Sequence, residues 1–284
     1  MLKNPFESVR MEPLQAMFLG LVQGLTEFLP VSSSGHLVIF QQYFGFTEPE
    51  IFFDVSVHVG TLLAVLIFFR KEIVDIFSSV FRWFRHLFAP GPMSLDDPMK
   101  MALWIVIGSI PTGIIGLGFH KIADQLFASL PVVGCSLIVT GLILALTLRV
   151  RKPGKGIQHF SARTALLIGT VQGLAVLPGL SRSGATICAG LFLGIDRETA
   201  ARYSFLLSVP AILGAELLSI LDLPSGPVLL NPAVLIGTAT AFVTGYGALA
   251  LLVYIVKIGR LYLFAPYCLL LGIATLIFAF SSKI

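Results

Sequence analysis

Residues 21–36 read LVQGLTEFLPVSSSGH. The stretch opens as an apolar helix, is stopped by Pro30, and restarts at three serines and a glycine, with a carboxylate at Glu27 and an imidazole at His36. Laid over residues 170–185, TVQGLAVLPGLSRSGA, it aligns without a gap. Gln23 falls on Gln172, Gly24 on Gly173, Leu25 on Leu174, Ser32 on Ser181, Ser34 on Ser183 and Gly35 on Gly184, always at an offset of 149. Fainter echoes follow, SVHVG from Ser56 against SVPAILG from Ser208, and IGS with Gly116 and Gly118 against IGT with Gly245 and Gly247. Together they predict one membrane domain built of two homologous halves, about 12–150 and 160–284.

The surrounding chain is apolar. Of its 284 residues 56% are hydrophobic and only 12% charged, where a soluble domain carries roughly a quarter. Six uninterrupted segments are long enough to cross a bilayer as helices, about 51–69, 101–119, 131–148, 203–221, 233–256 and 261–280. The stretches 13–45 and 164–195 are apolar but broken by Pro, Gly and Ser, and each reads as a helix in and a helix back. The pI near 9.1 does not point to nucleic acid, because Lys and Arg flank apolar runs instead of forming a stripe. Cys135, Cys188 and Cys268 lie in apolar segments without metal-ligand spacing and read as packing residues. No small-residue cleavage site follows the first apolar run, so the N-terminus is expected to be retained.

A re-entrant hairpin leaves its ends on one side. Fourteen of the nineteen Lys and Arg residues then collect on the face holding 70–100, 149–163, 196–202 and 257–260, which the positive-inside rule makes cytoplasmic, with both termini outside. Three crossings per half invert the second half relative to the first. The expectation is an all-α membrane protein of six transmembrane helices and two re-entrant helical hairpins in an inverted-topology repeat, the hairpins meeting near the midplane. The segment Glu72 to Phe88 has Ile73, Ile76, Phe77, Val80, Phe81, Phe84 and Phe88 at helical spacing and reads as an amphipathic surface helix.

Gln23 and Glu27 are four apart and share a helical face. A carboxylate or guanidinium at membrane depth costs about 2.5–3.5 kcal/mol, so Glu27 and Arg182 call for partners, either each other for folding alone or a ligand. Serines at a helix start cap it, glycine permits close approach, and the free N–H groups bind anions. Arg182 offers a planar fork of donors suited to phosphate. With Ser32, Ser33, Ser34 and Gly35 in one break, and Ser181, Ser183 and Gly184 in the other, the pattern points to a phosphorylated ligand. A serine beside His36 suggests that phosphate is transferred, by a hydroxyl activated by a base. Asp54 and His58 either line the cavity or sit at the interface, Glu216 is a second-shell partner or snorkels, and IGSIPTGIIGLGFH reads as close helix packing.

QGLTEFLPVSSSGH and LPGLSRSGAT resemble the two signature regions of the undecaprenyl-diphosphate phosphatase family of bacitracin-resistance type, and the resemblance covers essentially the whole chain. It implies removal of the terminal phosphate from undecaprenyl diphosphate in the bacterial inner membrane, at a site opening to the periplasmic side. The family's Glu or Gln followed four residues later by Glu falls on Gln23 and Glu27, its PGxSRSG run on Pro178 to Gly184, and its serine and histidine on Ser33 and His36. Having Gln at 23 weakens a mechanism that needs two carboxylates there. A divalent cation, Mg or Ca, is implied, with Glu27 as its ligand. The implied partners are a polyprenyl diphosphate lipid and membrane lipid, with a homodimer left open. The resulting expectation is that Ser33 attacks phosphorus with His36 or Glu27 as proton acceptor and Arg182 stabilising the charge; direct attack by water is left open. A different lipid-phosphatase superfamily with a PSGH motif needs a histidine downstream of its SR pair, which SRSGATICAGLFLG lacks. A lipid flippase or secondary transporter is the rival reading, because such proteins share this architecture.

Overall fold

The computed structural model describes residues 11–44, 51–86, 95–120, 122–127, 129–150, 154–221 and 232–281. The first ten residues, on which the expectation of a retained N-terminus falls, lie outside them. In a bilayer every backbone polar group has to be satisfied within the protein, which drives apolar segments of this length to helix. Among the described residues the only extended pairing is a bridge between Lys155 and Ile195.

The first broken stretch forms α1 (Pro13–Phe28) and α2 (Ser33–Tyr43). It is followed by α3 (Ile51–Phe68), α4 (Arg70–His86), α5 (Asp97–His120), the short α6 (Ala123–Phe127) and α7 (Leu130–Leu146). The second forms α8 (Ala162–Leu174) and α9 (Arg182–Phe192), followed by α10 (Arg197–Leu221), α11 (Pro232–Lys257) and α12 (Ala265–Ser281). Five of these, α5, α7, α10, α11 and α12, are long and apolar enough to cross a membrane, and α3 with α4, bent by 73°, would add a sixth if the pair is one broken span. The chain is a multi-pass membrane protein.

The breaks are made locally. Pro30 cannot supply an N–H to continue α1, and Ser32 turns the chain at φ 70°, ψ 98°, the one non-glycine residue with positive φ among the described residues. Ser32 Oγ accepts from Gly35 N at 3.3 Å and Ser181 Oγ from Gly184 N at 3.1 Å. Each capping hydroxyl also lies 3.3 Å from the serine two residues on, Ser34 and Ser183. Every pair in this description repeats at the offset of 149.

Packing exchanges the same positions between the halves. Gly20 on α1 lies against the Gly237 carbonyl of α11, and Gly169 on α8 lies against the Gly108 carbonyl of α5; a Cβ at either would strike backbone oxygen. At the breaks, a Cβ on Gly35 would meet Gly179 Cα at 3.2 Å, and one on Gly184 would meet Pro30 Cβ at 3.0 Å. Close packing accounts for Gly108 in the glycine-rich crossing but not for Gly113, Gly116 and Gly118, which face open space. That part of the sequence reading is corrected.

The main core lies between the breaks and the basic face. Phe28, the last residue of α1, meets Phe205 edge-on, Phe205 stacks on Phe69, and the buried Tyr203 donates to the Trp104 carbonyl at 2.7 Å. The expected amphipathic helix is α4. Its first two turns pack Ile73 and Ile76 against this core, whereas Phe77, Phe81 and Phe84 stay exposed; Phe88 lies outside the described residues.

Candidate active site

Ser33 and Arg182 are the first residues of α2 and α9, and both reach Glu27 in the last turn of α1. Ser33 donates its hydroxyl to Glu27 Oε2 at 2.6 Å, and Arg182 Nη2 pairs with Glu27 Oε1. Gln23, one turn earlier, donates Nε2 to Glu27 Oε2 at 3.0 Å, as their spacing predicts. Ser183 Oγ donates to the Phe28 carbonyl at 2.8 Å, which ties the second break to the end of α1. Two helix N-termini therefore flank one carboxylate, and each leaves N–H groups without intrahelical partners.

Glu27, Ser33 and Arg182 line one end of a cavity of about 600 Å³, whose remaining wall comes mostly from α3, α5 and α10 with Phe127, Gln172 and the second break. Arg182 and Glu27 keep 17% and 6% of their side chains exposed, so the pair is desolvated but open to a ligand. Arg182 uses one of its five N–H donors on Glu27, which leaves others for an anion.

Six of the expected residues line the cavity: Glu27, Ser32, Ser33, Ser34, Ser181 and Arg182. Gln23, Gly35, Ser183 and Gly184 stand behind it, holding Glu27 or letting the breaks touch. His36 is not among the lining residues. Its Nδ1 is 2.7 Å from the Ser32 carbonyl and its Nε2 2.6 Å from the Tyr267 hydroxyl, with the two rings stacked at an interplanar angle of 5°. One turn into α2, the imidazole folds back on the cap and toward α12.

His58 and Glu216 do enter the cavity. His58 Nδ1 bonds the Asp54 carbonyl at 2.7 Å, and its Nε2 lies 3.9 Å from Glu27 Oε2. Glu216 Oε1 is 3.9 Å from His58 Nδ1, and Glu216 Oε2 is buried without a hydrogen-bond partner. Asp54 instead accepts from Gln41 Nε2 at 2.8 Å. Sequence reasoning missed Thr112, which bonds the Gly169 carbonyl at 2.9 Å and accepts from Gln172 at 3.3 Å; a threonine in an apolar crossing carries no signal of its own. Among the described residues no three His, Cys, Asp or Glu side chains converge as a metal cage.

Residues 16–274 match the protein family described as "Bacitracin resistance protein BacA". The chain is 59% identical over 269 residues to the undecaprenyl-diphosphatase of Desulfosudis oleivorans, covering 94% of this chain and 98% of that protein. It is 50% identical to the undecaprenyl-diphosphatase of Desulforapulum autotrophicum, covering 95% and 99%. The similarity extends to Korarchaeum cryptofilum, whose protein of the same name is 42% identical over 94% of this chain and 99% of its own length.

Proposed function

The chain belongs to the bacitracin resistance protein BacA family and is an undecaprenyl-diphosphatase, and we propose that it performs this reaction in the cavity where Ser33, Glu27 and Arg182 meet. The activity removes the terminal phosphate of undecaprenyl diphosphate and returns the lipid carrier to cell-wall synthesis. The observation that carries the assignment of the site is the 2.6 Å bond from the Ser33 hydroxyl to Glu27. A hydroxyl and a carboxylate together at a helix N-terminus, opposite a guanidinium, support reading them as nucleophile and proton acceptor.

Ser33 Oγ attacks the terminal phosphorus as its proton passes to Glu27, and the bond from that phosphorus to the bridging oxygen breaks, so lipid monophosphate leaves with the electron pair. Glu27 passes that proton to the departing lipid monophosphate, water then attacks the phosphoserine while giving a proton to Glu27, and Glu27 returns it to Ser33 Oγ as the bond from phosphorus to Oγ breaks, freeing inorganic phosphate. Arg182 and the free N–H groups of α2 and α9 neutralise charge on the equatorial oxygens. Of the two acceptors expected, the geometry favours Glu27, since both nitrogens of His36 are engaged outside the cavity. His36 is a positioning residue that holds the Ser32 carbonyl, and with it the strained turn that aims Ser33.

A divalent cation fits as an ion shared with substrate, not as a caged one. Mg²⁺ commonly takes one or two carboxylates and completes its shell with phosphate oxygens and water. Glu27 and the unpartnered Glu216 Oε2 are the carboxylates that would hold it, and it would supply charge neutralisation on the diphosphate. The prenyl tail leaves between α5 and α10, where Gly113, Gly116 and Gly214 line the cavity and have open space beside them.

The two halves are read as inverted repeats with re-entrant hairpins, the site opening to the periplasmic side and both termini outside. The exchanged glycine contacts and paired caps at one offset support the repeat, and the crowding of basic residues on the other face supports the orientation. The test of the site is phosphate release from undecaprenyl diphosphate by purified Ser33→Ala protein that retains its fold. Turnover should fall at least about 100-fold, and a phosphoserine trapped on Ser33 would separate covalent catalysis from direct attack by water. Near-normal turnover would remove Ser33 from the mechanism.

A further inference from the structure

A second cavity, largely apolar but edged by cations, lies on the basic side of the molecule, with a volume of about 1190 Å³. Four cations from four separate segments converge on it: Arg149 after α7, Lys155 from the strap that follows, Arg197 at the start of α10, and Lys257 at the end of α11. None of the four makes an ion pair among the described residues. The two acids in the same wall are engaged elsewhere. Asp196 caps α10 by accepting from Thr199 N at 2.9 Å, and Glu198 pairs with Arg202 at 2.6 Å. Asp196 offsets one of the four like charges, and the excess repels itself unless an anion enters the space.

The wall is built, not a loose fringe of lysines. The strap is tied down by Lys155 N donating to the Gly194 carbonyl at 2.8 Å and Asp196 N donating to the Lys155 carbonyl at 3.0 Å. Gly194 and Gly259 turn the chain at φ 81° and 72° on either side. A Cβ on Gly259 would strike the Arg197 guanidinium, so the glycine lets that side chain lie against the end of α11. The rim is apolar and outward-facing, with Leu146 and Phe192 43% and 47% exposed. Cations beside exposed hydrocarbon match a phosphate carried at a membrane surface.

We propose that this cavity is a binding site for a phosphate-bearing anion, distinct from the phosphatase site and independent of its chemistry. The shared chemistry is the phosphate, carried by the headgroup of an anionic phospholipid or free in solution.

The experiment measures thermal unfolding of the full-length protein in phosphatidylcholine nanodiscs, with and without phosphatidylglycerol, and separately with added inorganic phosphate. It compares unmodified protein, an Arg149→Gln/Lys257→Gln variant, and an Arg70→Gln/Lys71→Gln control altered on the same basic face outside the cavity. A ligand in excess of its Kd raises Tm, here by a few degrees for a chain of this size. The expected result is a rise with one of the two anions in the unmodified protein and the control, reduced at least by half in the cavity variant. A rise with phosphatidylglycerol alone identifies a lipid headgroup, and an equal rise with phosphate identifies a soluble anion. Because all four substituted side chains are exposed, the variants should fold, and counting bound phosphatidylglycerol by native mass spectrometry checks the assignment independently of Tm. An equal rise in the cavity variant, an equal loss in the control, or no rise with either anion overturns the proposal.

Discussion

Neutralising both members of the Glu27–Arg182 pair separates a structural ion pair from a catalytic one. Breaking a buried pair by removing one partner costs about 3–5 kcal/mol, because the other charge is left without compensation. Here Arg182 keeps 17% of its side chain exposed to the cavity, which lowers the cost to the bottom of that range or just below it, about 2–3 kcal/mol. At roughly 2 °C per kcal/mol for a chain of this length, Glu27→Gln or Arg182→Met alone should lower Tm by about 4–6 °C. Combining them removes the orphaned charge, so the double variant should recover at least about half of that loss. Activity should not recover with it. Losing the proton acceptor costs about 10²–10⁴ in rate, losing the clamp on the phosphoryl oxygens costs about 10²–10³, and neither loss is relieved by the other. Thermal unfolding and phosphate release on the same preparations supply both readings. A double variant that releases phosphate within about tenfold of the unmodified rate would refute the catalytic assignment, and would show that the pair only holds the hairpins together.

Gly20→Ala and Gly169→Ala each place a Cβ against a backbone carbonyl of a neighbouring helix, so each should lower Tm by an amount equivalent to about 1–3 kcal/mol, and the two should be similar. Gly113→Leu with Gly214→Leu fills the open side of the cavity, and should raise KM for a long-chain prenyl diphosphate about tenfold while leaving that for a short soluble analogue within about twofold, consistent with several buried methylenes. Asp96, at the start of α5, has its carboxyl held below the usual range first by the Ser79 hydroxyl, then by Met99 N and Arg82. Its folded pKa is depressed, so the stability it contributes is present above the unfolded value near 3.8 and is lost as pH falls through the folded one. Hydrogen exchange in α4 should therefore rise below about pH 4, and Asp96→Asn should abolish that dependence.

Punctuation is what the sequence carries most legibly. Pro30, the capping serines and the glycines act within a few residues of themselves, and so the breaks, the caps and the meeting of Ser33, Glu27 and Arg182 follow from a repeat written in plain view. Side-chain direction is not local in the same way. His36 is four residues past Ser32 and could have faced the cavity, but a stacking and bonding partner on α12, Tyr267, lies 231 residues away and draws it aside. His58 and Glu216 come together only because α3 and α10 pack side by side, and no spacing within either helix announces it. The glycines of α5 show the same limit. Gly108 and Gly113 look alike in sequence, yet one meets α8 and the other meets open space.

The proposed repeat also gives a reason for two broken stretches at one site. One break supplies one helix N-terminus and one first residue, and the equivalent positions then diverge: Ser33 corresponds to Arg182, Glu27 to Val176, and His36 to Ala185. Equivalent positions of the two breaks thus present a hydroxyl from one side and a cation from the other. Only one carboxylate lies between them, and the two partners reach it by very different lengths of side chain. Exchanging them, Ser33→Arg with Arg182→Ser, tests whether position or identity matters. An arginine at 33 starts where a hydroxyl already touches Glu27, so the ion pair can re-form and the protein should unfold within a few degrees of the unmodified Tm. A serine at 182 is too short to span the gap that the guanidinium crosses, so its hydroxyl has no proton acceptor and phosphate release should fall at least about 100-fold. Retained turnover in the exchanged protein would mean that the two breaks are interchangeable, and that Glu27 does not define which side attacks.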